Sequence, residues 1–103
     1  MTYTITITGQ QFLESEYEYN CALSKALRAR FPDAYKINVG PRYFEITMKD
    51  YSTPVLIFFK HCTLLNPEDF KDDILLEDLI YDQHDCEDPQ DVTFSFETVL
   101  IKE

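Results

Sequence analysis

The chain is poor in several residue types, and each shortage excludes a class of protein. Two of its 103 residues are glycine and none follows Gly40, so the second half has no glycine-rich loop that could cradle a phosphate. No stretch approaches the roughly 18 apolar residues of a membrane-spanning helix. The N-terminus lacks the basic region and apolar run of a signal peptide. We therefore expect a soluble protein that is not exported.

Cysteine is sparse and tryptophan is absent. Cys21, Cys62 and Cys86 are odd in number and lie tens of residues apart, which is not the pattern of a disulfide framework. Free thiols in a reducing cytoplasm fit this pattern best, with one disulfide and a leftover thiol as the alternative.

Aromatic and aliphatic residues are plentiful enough to build a hydrophobic core. The chain has seven tyrosines and eight phenylalanines, and 45% of its residues are hydrophobic. We therefore expect a single domain over residues 1–103.

Basic residues are few and unevenly placed. The chain has 9 Lys and Arg against 19 Asp and Glu, which gives a formal net charge of -10. Residues 66–91, called the acidic segment below, hold eleven acids and one base, whereas the rest of the chain holds eight of each. Residues 25–49 lean positive. We therefore expect an electrically lopsided molecule whose acidic segment repels nucleic acid.

The first half of the chain shows one helix and three strands. Tyr3, Ile5 and Ile7 alternate with threonines, which predicts a strand that Gly9 ends. Ser15 and Glu18 have the spacing of a capping box, and Asn20 is a rival N-cap. The helix that follows carries its apolar residues at helical spacing and stops at Pro32: Tyr19, Leu23, Ala26, Leu27 and Phe31. Alternating runs at 35–39 and 44–48 predict a hairpin.

The second half is apolar first and acidic later. The unbroken apolar run 55–59 is typical of a central strand covered on both faces. Asn66 and Pro67 predict the start of an acidic helix, either one long helix or two short ones with a break near Asp72 and Asp73. Residues 82–90 read as a loop, and the alternation over 92–100 predicts a strand that pairs beside the first.

These elements predict an α+β fold. Short turns between neighbouring strands favour a small, mostly antiparallel sheet of about five strands. One N-terminal helix and one or two short acidic helices would pack on it. No internal repeat or linker interrupts the chain.

Catalytic and metal-binding patterns are weak. His61, Cys62, His84 and Cys86 are the soft donors, but their spacing is poor for zinc and no Cys-x-x-Cys pair exists. A nucleophilic pair of Cys62 and His84 would need an orienting partner and an oxyanion hole that the sequence does not indicate. We expect no enzyme activity, no cofactor and no metal.

A basic patch offers a nucleic-acid-binding alternative. Its cations are Lys25, Arg28, Arg30 and Arg42, and Tyr35 and Tyr43 could stack on bases. Such binding would have to overcome the net charge of -10 on a small body, so a solvated helix face and a charge-protected strand edge explain these residues better. We therefore expect no direct nucleic-acid partner and no membrane partner.

The acidic segment suggests a different role. If it were mostly helical, its carboxylates would recur about every 3.5 Å, near the about 3.4 Å spacing of phosphates along one DNA strand. It could then occupy a groove built for nucleic acid, whereas the plainer interpretation is a solubilising face. The residues that we expect to contact a partner are Asp69, Asp72, Asp73, Glu77, Asp78, Tyr81, Asp82, Asp85, Glu87 and Asp88.

One segment resembles a known group of proteins. Residues 20–34, NCALSKALRARFPDA, followed by 37–40, INVG, resemble small proteins of tailed bacteriophages with a short Cys-containing helix ending at Phe/Leu-Pro. Small size, acidity and the lack of enzymatic signatures are also similar to phage-encoded anti-CRISPR and anti-restriction inhibitors. The resemblance implies a cytoplasmic inhibitor of a basic nucleic-acid-processing host protein. The alternative is a structural or assembly protein that acts through its sheet edge or by self-association. In that case the positive residues 25–49 of one copy would meet the acidic segment of another and form a homodimer.

Overall fold

The computed structural model describes residues 1–15, 21–49, 53–70 and 74–98. Their elements, in chain order, are β1 (Thr2–Ile7), α1 (Gly9–Leu13), α2 (Ala22–Arg30), β2 (Ala34–Val39), β3 (Tyr43–Met48), β4 (Val55–Phe58), a first 3-10 turn (Phe59–His61), β5 (Thr63–Leu64), a second 3-10 turn (Pro67–Asp69), α3 (Leu76–His84) and β6 (Val92–Glu97). The predicted α+β class is confirmed. The single sheet of about five strands is wrong, because the strands form two antiparallel sheets of three: β1-β6-β5 (sheet 1) and β2-β3-β4 (sheet 2).

Sheet 1 joins the two ends of the described chain. Tyr3, Ile5 and Ile7 are buried, as the alternation in β1 predicts. The expected pairing of the first and last strands is confirmed, since β1 runs antiparallel to β6 from Thr2 opposite Glu97 to Ile7 opposite Val92. The two-residue strand β5 was not predicted, because it is too short to show a period. It completes the sheet on the other side of β6.

Sheet 2 begins with the predicted hairpin, whose strands β2 and β3 pair with a register shift between Ala34 and Lys36. Its third strand differs from the prediction. The apolar run over β4 is not a central strand covered on both faces, because β4 is an edge strand with Ile57 buried and Leu56 and Phe58 48% and 38% exposed. An unbroken apolar run does not distinguish a covered strand from an edge strand with an uncovered apolar face.

The N-terminal helices start at residues other than those predicted. The capping box is formed by Thr8 and Gln11: the Gln11 N–H donates to Thr8 Oγ1 at 3.1 Å and the Thr8 N–H to Gln11 Oε1 at 2.9 Å. It begins α1, a short helix that the sequence pattern did not reveal. Ser15 follows that helix and donates back to the Gln11 carbonyl, while Glu18 and Asn20 lie outside the described residues.

α2 has the predicted buried face. Leu23, Ala26 and Leu27 are buried within the helix and Phe31 at its C-cap, while Tyr19 lies outside the described residues. The helix begins at Ala22, after an N-cap at Cys21 that makes no side-chain hydrogen bond.

The acidic segment is not one long helix. Asn66 and Pro67 begin only a 3-10 turn, and the Asn66 side chain contacts another strand instead of capping a helix. Its Nδ2 donates to the Asp91 carbonyl at 2.9 Å, and its Oδ1 accepts the Thr93 N–H at 3.0 Å. These bonds hold the segment against the start of β6. The true helix, α3, starts at Leu76 and extends to His84, into the stretch predicted as a loop.

The core is continuous between the two sheets. Phe44 of sheet 2 is fully buried, and its ring centroid lies 5.4 Å from that of Phe96 and 6.3 Å from that of Phe94, both in sheet 1. The Phe59 ring of the first 3-10 turn lies 5.6 Å from the same ring. Aromatic packing therefore connects sheet 1, sheet 2 and the first 3-10 turn, which contacts α3.

Gly9 is a point of close approach that can be tested. A Cβ atom there would lie 2.4 Å from the Pro89 carbonyl oxygen, so the backbone must move to accept one. We expect Gly9→Ala to lower the free energy of unfolding by about 1–3 kcal/mol, because overpacking outweighs the better helix propensity of alanine. Gly40→Ala is the control with a smaller expected loss, since its Cβ would lie 3.2 Å from the Tyr43 carbonyl oxygen. Urea unfolding measures both, and a Gly9→Ala protein as stable as the wild type would contradict this packing.

Candidate protein-binding surface

α3 has a buried face and an acidic face. Its buried residues recur at one helical face, and they are Leu76, Leu79, Ile80 and Gln83. Asp78, Tyr81, Asp82 and Asp85 have the spacing i, i+3, i+4 and i+7, so they form one exposed stripe. Glu77 is half-buried beside it. We call Glu77, Asp78, Tyr81, Asp82 and Asp85 the acidic face.

Helix stability explains some of these acids but not all. Glu77 and Asp78 lie in the first turn, where the helix dipole favours negative charge, and Leu75 at the N-cap makes no side-chain hydrogen bond. Asp82 and Asp85 lie at the opposite end, where the same dipole disfavours negative charge. Their presence there is not a device for stabilising α3.

The acidic face has no counter-charge nearby among the described residues. Among the described residues, the ion pair that is closer than 4.0 Å joins Lys49 Nζ to Asp33 Oδ1 at 3.9 Å. Both of these residues lie far along the chain from α3. The carboxylates of the acidic face are thus left to solvent or to a partner molecule. Their mutual repulsion would fall when a cationic surface covers them.

The loop after α3 is held in place by hydrogen bonds. Gln83 is the buried polar side chain of α3, and its Oε1 accepts the Gln90 N–H at 2.8 Å. Asp91 accepts the Gly9 N–H at 2.8 Å through Oδ1. Glu87 and Asp88 are exposed between these two anchors. A loop fixed in this way loses less conformational entropy when it binds.

Of the other predicted contact residues that precede α3, the structure describes Asp69 alone. Asp69 lies on the second 3-10 turn, where its Oδ2 accepts a hydrogen bond from Asn66 Nδ2 at 3.0 Å. Asp72 and Asp73 lie outside the described residues. Because the helix spans only Leu76–His84, the regular spacing expected of one long acidic helix does not extend over residues 66–91. Among the described residues, the predicted contacts that lie together on α3 and the loop after it are Glu77, Asp78, Tyr81, Asp82, Asp85, Glu87 and Asp88.

A cavity of about 370 Å³ opens beside the acidic face and was not predicted. It lies between α3, the start of α2, the turn joining β2 to β3, and the first 3-10 turn. We call it the α3 pocket; its lining residues are Cys21, Leu23, Val39, Gly40, Pro41, Phe59, Glu77, Asp78, Ile80, Tyr81 and His84. No periodic pattern reveals such a site, because its walls come from four separate parts of the chain.

Two titratable groups near the pocket are shifted towards neutrality. Burial lowers the pKa of His84 below its usual 6.5, although the nearby Asp85 opposes the shift. Burial, with a smaller contribution from the charge of Glu77, raises the pKa of Cys62 to about 12. Cys62 therefore stays a thiol at neutral pH and does not supply the thiolate that nucleophilic catalysis uses.

The described residues offer little support for a metal site or for nucleic-acid binding by the basic patch. In the part of the chain that the structure describes, no three His, Cys, Asp or Glu residues are grouped so as to hold a metal ion.

Two cations of the basic patch, Arg30 and Lys25, make contacts within the fold. The Arg30 guanidinium lies 5.1 Å from the Phe31 ring centroid, and Lys25 Nζ donates to the Glu14 carbonyl at 2.9 Å.

A second exposed surface lies on the outer side of sheet 2. Tyr43 and Phe58 are cross-strand partners with ring centroids 5.6 Å apart, and Lys60 Nζ lies 5.9 Å from the Phe58 ring. Leu56 extends this apolar patch along β4. We call Tyr43, Leu56, Phe58 and Lys60 the sheet patch. Sequence analysis missed it because β4 was placed in the centre of a sheet.

Comparisons with protein-family models, curated protein sequences and solved structures found nothing that matches this chain. No helix within the described ranges has both the length and the apolar character needed to cross a membrane. Functional inference therefore rests on the acidic face, the α3 pocket and the sheet patch.

Proposed function

We propose that this protein is a small, non-enzymatic, cytoplasmic inhibitor or regulator that binds a basic nucleic-acid-processing protein. The acidic face and the loop with Glu87 and Asp88 occupy part of the groove that nucleic acid would fill. The phage-inhibitor class implied by residues 20–34 and 37–40 belongs to this proposal. No cofactor, metal or direct nucleic-acid contact is required.

The arrangement of charge carries the proposal. Four carboxylates lie on α3 and its C-cap, three of them in one exposed stripe, without an ion pair to a cation of the described residues and partly against the helix dipole. A face that served only solubility would not need this alignment. Clustered carboxylates create a local negative potential that steers a basic protein towards the site and raises its association rate.

Steering alone gives little affinity, because exposed ion pairs contribute about 0–1 kcal/mol each. Tyr81 supplies the short-range component. It is 58% exposed in the middle of the acidic face, and tyrosines surrounded by polar residues are common hot spots of protein interfaces. The proposed interface therefore combines an acidic rim with one aromatic anchor.

A charge-matched pair of variants tests the proposal. Asp78→Asn/Asp82→Asn/Asp85→Asn removes three charges from the acidic face, and Glu14→Gln/Asp33→Asn/Glu45→Gln removes three from elsewhere. Each protein is used to capture partners from bacterial lysate at rising salt, with identification by mass spectrometry and competition by duplex DNA. We expect the wild type and the control to retain a basic nucleic-acid-binding protein that DNA displaces. We expect the acidic-face variant to lose at least about tenfold in affinity.

Two results would contradict the proposal. One is capture that is indifferent to salt and to the three acidic-face substitutions. The other is equal loss in both variants, which would mean that net charge, rather than the acidic face, determines binding. Circular dichroism and thermal unfolding of each variant show that the fold is intact.

Self-association is a second candidate function, and the sheet patch favours it. An exposed Tyr43–Phe58 pair with Leu56 beside it on an edge strand is an apolar surface that another chain can cover. Lys60 adds positive charge at this patch, which could meet the acidic face of a second copy. Such a contact joins different surfaces, so it would build rings or filaments rather than a symmetric dimer.

Leu56→Gln tests this second candidate by sedimentation velocity. If the sheet patch mediates assembly, the wild type sediments as salt-sensitive oligomers and Leu56→Gln shifts them to monomer. Leu13→Gln is the matched control, because Leu13 is also an exposed leucine but lies on α1, 59% exposed. A wild-type protein that stays monomeric at low and high salt would exclude assembly and leave the inhibitor proposal.

A further inference from the structure

The α3 pocket has the composition of a site for a cation with an apolar stem. Leu23, Phe59 and Ile80 contribute apolar lining, and all three are buried in the core behind it. Glu77 and Asp78 contribute carboxylates from adjacent positions of α3. The volume of about 370 Å³ lies near the lower end of the range for small-ligand pockets, so the site fits one side chain rather than a large cofactor.

The charge of the pocket lining favours a cation over an anion. None of the described residues that line it is lysine or arginine, whereas two are acids. His84 does not offset these acids at neutral pH, because burial favours its uncharged form. A cation in the pocket would therefore find two acidic residues, Glu77 and Asp78, in the lining and no lysine or arginine of the lining to compete with it.

Among cationic side chains, arginine fits this lining best. Its guanidinium is planar and weakly hydrated, it binds carboxylates through paired hydrogen bonds, and it stacks on aromatic rings. Tyr81 is an aromatic residue of the same lining, four positions after Glu77 and three after Asp78 on α3. The stem of three methylenes can lie against the apolar wall. Lysine offers a compact, strongly hydrated charge that uses neither the ring nor the paired geometry.

We infer that the α3 pocket receives an arginine side chain of the basic protein that binds the acidic face. This inference rests on the proposed function and deepens it, since it gives the acidic face a defined anchoring point. Arginine is also a residue with which nucleic-acid-binding proteins contact phosphate, so a protein of that class would present one in its binding groove.

Short peptides test the pocket without the partner. The probes are acetyl-Gly-Arg-Gly-amide, the same peptide with lysine, and the same peptide with citrulline, a neutral analogue of arginine. Each is titrated into the full chain while backbone amide shifts are followed by NMR. We expect saturable shifts at Leu23, Val39, Gly40 and Tyr81 with the arginine peptide. We expect binding at least about tenfold weaker with citrulline, because the charge-assisted hydrogen bonds are lost.

A matched pair of substitutions locates the binding. Glu77→Gln and Asp82→Asn each remove one charge from α3, but only Glu77 lines the pocket. We expect Glu77→Gln to weaken the arginine peptide about tenfold and Asp82→Asn to change its affinity less than twofold. Equal losses in the two variants, equal binding of the lysine or citrulline peptide, or no saturable shift at the pocket would overturn the inference.

A double variant separates this inference from the proposed function, because Asp82 and Asp85 belong to the acidic face but do not line the pocket. If Asp82→Asn/Asp85→Asn abolishes capture of the partner but Glu77→Gln leaves it unchanged, the acidic face is the binding surface and the pocket inference fails. If the arginine peptide saturates the pocket but Asp82→Asn/Asp85→Asn leaves capture unchanged, the proposed function fails and the pocket remains an arginine site.

Discussion

The packing of Phe44 against both sheets is the interaction on which the rest of the structure depends. Its ring is fully buried, with the rings of Phe94 and Phe96 on one side and Phe59 nearby. Full burial of a phenylalanine contributes about 1.5–3 kcal/mol, and each favourable aromatic pair adds about 0.5–1.5 kcal/mol. This cluster joins two sheets that share no strand. It also positions the first 3-10 turn, which forms a wall of the α3 pocket.

The same packing divides the surface into two regions of different character. Sheet 2 buries Phe44 and Ile57, so the alternate residues Tyr43, Leu56 and Phe58 point to its outer side. α3 buries four residues on one face and presents carboxylates on the other. Carboxylates are therefore concentrated on α3 and the loop after it, while sheet 2 carries an exposed apolar patch of its own. The molecule thus has one surface suited to a cationic partner and a separate apolar patch.

Much of the fold could be predicted from the sequence, and the failures have physical causes. Alternation identified β1 and β6, where every second residue is buried. It also identified the hairpin, although Ile37 is the one buried residue of β2 and its neighbours in the predicted run, Tyr35 and Val39, are exposed. It failed at β4, where an unbroken apolar run has the same appearance in a covered strand and in an edge strand with an exposed face. It also failed at Asn66, whose side chain satisfies backbone groups of another strand rather than a helix terminus. Those backbone groups belong to Asp91 and Thr93, which follow Asn66 by 25 and 27 positions in the chain.

The candidate site could be predicted only in part, because some of its features are local to the chain and others depend on the tertiary fold. Charge density identified α3 and its flanking loop, since it is a local property of the chain. The selection of Asp78, Asp82 and Asp85 as one stripe required the true start of the helix. The α3 pocket required the tertiary arrangement of α2, the hairpin turn and α3, so no local signal could have found it.

The central claim is that the acidic face is a binding surface, and site-specific crosslinking in cells tests it most directly. Tyr81 and Tyr35 are 58% and 59% exposed, so a photoreactive benzoylphenylalanine placed at either position samples its surroundings to a similar extent. The account predicts that Tyr81→benzoylphenylalanine crosslinks to a basic nucleic-acid-binding protein and that Tyr35→benzoylphenylalanine does not. Crosslinks to such a protein from position 35 alone, equal crosslinks from both positions, or none from position 81 would contradict it.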